Sequence, residues 1–257
     1  MSIKFTILGC GYSMGVPRID GNFGKCDPGN AKNYRSRCSA LVSCYKSNIL
    51  IDSSPDVRLQ LIKNNVKDID KIFYTHAHAD QTHGINDLRV FYLKKRKKIP
   101  VYADNKTKNY LLRAFKYCFK NTSEYPPILK MNNLKKIHKF KFGNKIVEFK
   151  SITVQHGNID CISYIINKKL AYASDVSKIY KKDLNNFKNL KYFVVDCLRY
   201  DPHYSHFNLN NVLELIDVIK PNKTILTNLN NEMDYSSLKK KLPKNVLPAF
   251  DGMTILI

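Results

Sequence analysis

The residues with the clearest chemical potential are His76-x-His78-x-Asp80, directly after the apolar run from Ile69 to Tyr74. Alternate residues leaving a strand point to one side. The two imidazoles can therefore converge on one cation, and the carboxylate two residues on can reach a neighbouring one. Imidazole and carboxylate together suit Zn, Mn or Fe. Two more donors close apolar stretches elsewhere: His156 after Ile152-Thr153-Val154, and Asp175 after the run from Leu170 to Ser174. A ligand at a strand end projects from a rigid scaffold into a cleft. With the first motif these residues complete a set of three His and a bridging carboxylate.

The elements that must position them follow from periodicity and turn chemistry. Residues 3–9 read as a strand ending in Gly9-Cys10-Gly11, and 12–37 as a long loop rich in Gly, Pro, Asn and basic residues. A hairpin is expected over 38–45 and 48–51, turning at Lys46-Ser47, then a helix near 56–65 and a strand over 69–74. Gln81 onward reads as helix, 100–102 as a short strand and 106–120 as helix. Strands are expected at 145–154, 162–166, 170–173, 192–196 and 223–227, with a helix near 209–219. Hairpin-linked strands with interspersed helices favour α+β sheets covered by helices over a doubly wound parallel sheet. No repeat, linker or composition break divides the chain, so 1–257 is expected to be one domain.

The chain has 257 residues, 44% hydrophobic, which excludes wholesale disorder. No apolar run approaches the ~18–20 residues of a membrane span. The N-terminus lacks the basic start, apolar stretch and cleavage site of a signal peptide, so a cytoplasmic protein is expected. The net charge is +22, with 43 Lys+Arg against 21 Asp+Glu. Such a balance suits nucleic acid or an anionic substrate. The excess is mostly Lys, however (35 Lys, 8 Arg), and Asn reaches 26; both have A/T-rich codons, so composition drift in an A/T-rich genome is the alternative to a functional charge. Lys94 to Lys98 are read as a solvated face. The seven cysteines are odd in number, without C-x-x-C, and are read as buried free thiols rather than disulfides.

The order His-x-His-x-Asp, lone His, Ser-Asp, then Pro202-His203-x-x-His206 resembles the metallo-β-lactamase fold. Further matching segments are Leu8-Gly9-Cys10-Gly11, Gly15-Val16-Pro17-Arg18, Cys26-Asp27-Pro28, Asn33 to Ser39, His83 to Arg89 and Phe250-Asp251-Gly252-Met253. They resemble the branch that includes phosphoribosyl 1,2-cyclic phosphate phosphodiesterases, over about residues 3–257. The resemblance implies a four-layer αββα sandwich with two metals at the sheet edge. It implies that His76, His78 and His156 hold the first, and that Asp80 and Asp175 serve the second, with Asp175 bridging. It further implies His206 as the proton donor to the leaving oxygen, with His203 just before it either assisting or shaping the loop, and Asp52 as a carboxylate supporting the metal loop. Arg35, Arg37 and Arg89 are candidates for gripping phosphate, with surface charge as the alternative. Cys197 is read as packing.

Two positions depart from the family pattern. Gln81 stands where the family has a His, and Thr227-Asn228-Leu229-Asn230-Asn231 lacks the family's late His. Three readings follow: an oxygen-loving metal such as Mn with Gln81 and Asn228 or Asn230 helping, a mononuclear enzyme, or His83 as substitute ligand. With only Cys26 in the early loop, no structural zinc is expected there. The expected function is metal-dependent hydrolysis of a small phosphate ester, a cyclic ribose phosphate among the candidates, by metal-activated hydroxide with His206 and Asp80 as catalytic residues. His203 and Arg89 are the substrate-binding candidates, and Zn or Mn the cofactor, as one or two ions. An RNA-processing nuclease of the same fold and a ligand-binding relic are the alternatives. Homodimerisation is implied by resemblance alone.

Overall fold

The structure, a computed structural model, describes residues 3–121 and 126–257. Met1 and Ser2 of the N-terminal reading lie outside them. The first sheet takes β1 (Lys4–Gly9), β2 (Ser39–Cys44), β3 (Ser47–Ile51), β4 (Lys71–Phe73), β5 (Ile99–Ala103) and β6 (Leu129–Asn133). The second takes β7 (Ile137–Phe142), β8 (Lys145–His156), β9 (Ile159–Ile166), β10 (Leu170–Ala173), β11 (Tyr192–Asp196), β12 (Lys223–Thr227) and β13 (Val246–Pro248). The last strand, β14 (Met253–Leu256), returns to the first sheet beside β1, giving the orders β14-β1-β2-β3-β4-β5-β6 and β13-β12-β11-β10-β9-β8-β7. Each sheet is antiparallel on one side and parallel on the other: β3 to β6 run parallel, as do β10 to β13.

Three apolar layers make the α+β sandwich. Between the sheets lie Phe5, Ile7, Phe73, Phe149, Tyr164, Tyr172, Val194 and Ile225. Phe73 stacks on both Tyr102 and Phe149, with ring centroids 4.6 and 4.7 Å away. On the outer face of the first sheet pack α1 (Val57–Lys63), α2 (Ala79–Thr82), α3 (Arg89–Lys95), α4 (Asn105–Ala114) and α5 (Lys116–Phe119), through Leu61, Ile85, Leu88, Phe91 and Leu111. On the outer face of the second pack α6 (Leu209–Ile219) and α7 (Tyr235–Lys241), through Val212, Ile216, Ile219 and Leu238. Strands covered on both faces carry near-continuous apolar runs; β10 and β11 are of this kind.

The structure departs from the periodicity reading at several places. The hairpin turns at Tyr45-Lys46, one residue early, with Tyr45 at φ 55°. The helix expected from Gln81 is broken into α2, a 3-10 turn over Ile85–Leu88, and α3. Gly84 marks the break: a Cβ there would lie 2.0 Å from the Ser54 carbonyl oxygen, and its N–H donates to Ser53. Residues 106–120 form two helices meeting at Phe115, whose φ of −121° is not helical. Strands β6, β7, β13 and β14 had no counterpart in the sequence reading. The basic run closes α3: Lys95 pairs with Asp68 and Asp70, and Lys94 donates to the Lys67 carbonyl.

Candidate metal centre

The site forms where strand ends of both sheets meet. His76 and His78 follow β4, Asp80 opens α2, His156 ends β8, and Asp175 lies two residues past β10. The His76 loop is pinned across the sandwich. The Tyr164 hydroxyl donates to the Tyr74 carbonyl at 2.6 Å, and the Ile162 N–H to the Thr75 carbonyl at 2.9 Å.

Three imidazoles face one another. Ring centroids are 4.5 Å apart for His76–His78, 5.2 Å for His76–His156 and 5.1 Å for His78–His156. One ligand atom from each lies within 4.8 Å of the others, and His156, Asp175 and His206 meet the same condition. The ring orientations are fixed from behind. Asp52, fully buried, accepts from the Thr75 N–H and hydroxyl, both at 2.8 Å, and the Thr75 oxygen sits 3.0 Å from His76 Nδ1. His156 Nδ1 lies 2.6 Å from the Ser205 carbonyl, which can only accept, so its Nε2 carries the free lone pair. His76 Nε2 is buried with no partner. A buried ring nitrogen without a partner, aimed among two other imidazoles, is the arrangement a divalent cation completes.

The electrostatics agree. Burial pushes His76 down to about 3, with the neighbouring imidazoles adding to that against Asp175, and burial and His156 lower His78. Both are therefore neutral donors, as ligation requires. Burial raises Asp80 to about 6, helped by the negative Asp175. Burial pushes Asp175 up too, but His76, His156 and His206 outweigh it and hold the carboxyl below its ordinary range.

Beside the donor set, with its ring centroid 4.6 Å from that of His156, His206 has Nδ1 2.6 Å from Asp196 Oδ2, and Asp196 is fully buried at the end of β11. Burial pulls His206 down, but the Asp196 carboxylate wins and raises it to about 9; burial lifts Asp196 to about 6 against the attraction of His206. At neutral pH the two form an ion pair. Sequence reading missed Asp196, although it ends an apolar strand as Asp52 and Asp175 do.

The enclosing cleft has a volume of about 490 Å³ and is walled by the loop residues Tyr12, Ser13, Met14 and Arg18, by Tyr204 and Glu232, and by His203. The His203 ring centroid is 5.2 Å from that of His206. The arginines chosen from sequence do not line this cleft. Arg35 is buried, donating to the carbonyls of Asn230 and Met233 and to Asn33 Oδ1, so it ties the early loop to residues 230–233. Arg37 pairs with Asp56. Arg89 lines a separate small cavity with Asn86, Tyr117, Cys118 and Ile128, because the chain turns at Gly84 into the outer helical layer. Arg18 and Arg199 line the cleft instead. His83 is exposed and meets the Tyr110 hydroxyl at 2.9 Å, so it does not substitute for Gln81. Cys197 is buried in the layer beneath α6.

A family model described as the beta-lactamase superfamily domain matches residues 47–227, well over half of the chain, and the chain belongs to that family. Among solved structures, one titled as a new diphosphatase from the PhnP family superposes with a TM-score of 0.90 at 28% identity, covering 100% of this chain and 98% of that one. Zinc-bound PqqB from Methylobacterium extorquens superposes with a TM-score of 0.73 at 15% identity over 98% and 99% of the two chains, which shows the shared fold. A curated relative, an octanoyltransferase of Porphyromonas gingivalis (strain ATCC BAA-308 / W83), is 26% identical over 260 residues, covering 99% of this chain and 52% of that protein. The chain thus spans about half the length of that relative. Among the described residues, no helix is long and apolar enough to cross a membrane.

Proposed function

We propose that the protein is a phosphodiesterase of small phosphate esters, acting as one hydrolase domain over 1–257. The observation that carries this reading is the adjacency, in one cleft, of the His76, His78, His156 and Asp175 donors and the His206–Asp196 ion pair. A divalent ion on the first set, Zn or Mn, would supply the Lewis acidity that activates water near neutral pH and neutralises phosphate oxygens. The chain's own groups do the rest. Asp80 stands beside the donor set as an acceptor for a proton of the attacking water. His206 has Nδ1 committed to Asp196, so its Nε2–H is the proton available to the leaving oxygen. His203 faces the substrate beside it, and Arg18 replaces Arg89 as the cleft's candidate for phosphate.

The 28% identical relative titled a diphosphatase supports phosphorus chemistry. The +22 charge favours a nuclease, but among the described residues the cleft lining contains Arg18 and Arg199 and no lysine. The Lys excess is therefore not focused where a phosphate backbone would run. Acyl transfer through a thiol finds no support: all seven cysteines are buried, and burial raises their pKa values, so none is a ready nucleophile.

The test is a panel of a cyclic ribose phosphate, a diphosphate ester and a 3′-extended tRNA, each assayed across ionic strength. The reading expects turnover of a small ester with a shallow salt dependence. Preferential cleavage of the RNA, with the steep salt slope of counterion release, would overturn it in favour of a nuclease. No hydrolysis of any member by metal-loaded protein would leave the ligand-binding relic.

A further inference from the structure

The surroundings of Asp80 and Asp175 bear on how many ions the centre holds. Gln81 is fully buried, and its Nε2 donates to Asp80 Oδ2 at 3.3 Å and to Asp175 Oδ2 at 3.2 Å. Asn228, buried directly after β12 with φ 60°, donates from Nδ2 to Asp175 Oδ1 at 3.3 Å and to Asp196 Oδ1 at 3.2 Å. Both oxygens of Asp175 and one of Asp80 thus face amide hydrogens. An amide N–H₂ is a donor with no lone pair for a metal. The opposite orientation of Gln81 would set its carbonyl oxygen against two carboxylate oxygens, an arrangement only a cation would relieve. The orientation present leaves Gln81 Oε1 buried without a partner, a cost accepted in return for contacts to two carboxylates. Asn230 does not take part: its Oδ1 accepts from the Glu232 N–H. The two groups able to hold an ion, His76–His78–His156 and His156–Asp175–His206, share the one free nitrogen of His156 and so serve a single ion, and a second ion beside Asp80 does not fit the groups around it.

We infer that this centre holds a single divalent ion, and that the carboxamides of Gln81 and Asn228 form a clamp that takes the place of a second one by donating hydrogen bonds to Asp80 and Asp175. The inference rests on the hydrolase reading of the site but not on its substrate. The clamp holds Asp175 with a free energy that a second cation would have to displace, and it fixes the Asp80 carboxylate beside the first ion.

The experiment counts ions in the wild-type chain, in Gln81→His and in Gln81→His/Asn228→His. Each is loaded with Mn, freed of excess metal, and measured by mass spectrometry and electron paramagnetic resonance. Wild type is expected to carry one equivalent with the signal of isolated Mn, and the double variant two equivalents with the signal of a coupled pair. Two equally tight equivalents in wild type would overturn the inference without any variant. A folded double variant that still carries one equivalent would overturn it too, since the amides would then not be what excludes the second ion. Hydrolysis of bis-p-nitrophenyl phosphate by the same wild-type sample separates the two readings. One ion without turnover removes the phosphodiesterase and keeps the clamp; two ions with turnover do the reverse. No ion at all removes both.

Discussion

Thr75 is the link through which Asp52 orients His76, and Thr75→Val removes that link at nearly constant volume. In the wild type the hydroxyl donates to Asp52 Oδ2 at 2.8 Å and faces His76 Nδ1 at 3.0 Å. The donated proton goes to the carboxylate, so the hydroxyl oxygen accepts from Nδ1–H and the Nε2 lone pair is left for the ion. The valine variant keeps the Thr75 N–H bond to Asp52 Oδ1 but strips Oδ2 of its donor. His76 Nδ1 keeps only the weak Cys161 Sγ contact at 3.6 Å. Loss of such an outer partner costs about 10–100-fold in metal affinity, or about 1.4–2.7 kcal/mol. Stranding buried polar groups also costs about 1–3 kcal/mol of stability. The assay is Zn titration of metal-free protein against a chromophoric chelator, with urea denaturation of the same preparation. Thr75→Ser should bind Zn within a few-fold of wild type. Ser163→Ala, which removes a buried bond to the Tyr172 carbonyl away from the donor set, should lower stability and leave affinity unchanged. Wild-type Zn affinity in Thr75→Val would refute the relay.

His206→Asn should lower turnover by about 10²–10⁴-fold with metal content unchanged; parallel loss of metal would make His206 a ligand instead. Arg35→Met strands the Asn230 and Met233 carbonyls and Asn33 Oδ1, and should cost about 2–4 kcal/mol in chemical denaturation. A loss below about 1 kcal/mol would contradict its role as the tie between the two loops. Asp234 caps α7; burial pushes its carboxyl up, but the Ser237 N–H, the Asn33 amide and the Asp27 N–H hold it at about 2. A depressed carboxylate stabilises the fold above its unfolded pKa and loses that contribution as pH falls. Asp234→Ala should therefore cost about 1 kcal/mol at pH 7, with the difference from wild type shrinking from about pH 4 toward pH 2. A difference that persists unchanged at pH 2 would contradict this assignment.

The candidate donors stand out in the sequence because they sit at strand ends. His76, His78, His156 and Asp175 each close an apolar run, and both the α+β class and the strands from β8 to β12 follow from the same runs. The amide clamp was half legible: Gln81 and the segment 227–231 stood out by residue type, but hydrogen bonds across 94 and 53 residues of chain have no local signal. The arginines misled for a physical reason. A guanidinium satisfies backbone carbonyls as readily as phosphate, and the carbonyls that capture Arg35 come from residues 230 and 233. Strand β7 carried the alternation of a half-buried strand, with His138, Phe140 and Phe142 less exposed than the lysines between them, but its Lys content hid it. The break at Gly84 depends on the approach of Ser54, a contact set by tertiary packing.

On the proposed function, the His76, His78, His156 and Asp175 donors bind an ion that hydrolysis of a phosphate ester requires. The most direct measurement follows bis-p-nitrophenyl phosphate hydrolysis in chelator-treated protein, in the same protein after Zn or Mn is restored, and in His78→Ala. Activity should disappear with the ion, return with it, and be absent from His78→Ala together with bound metal. Hydrolysis that survives complete metal removal, or that His78→Ala retains in full, would contradict it.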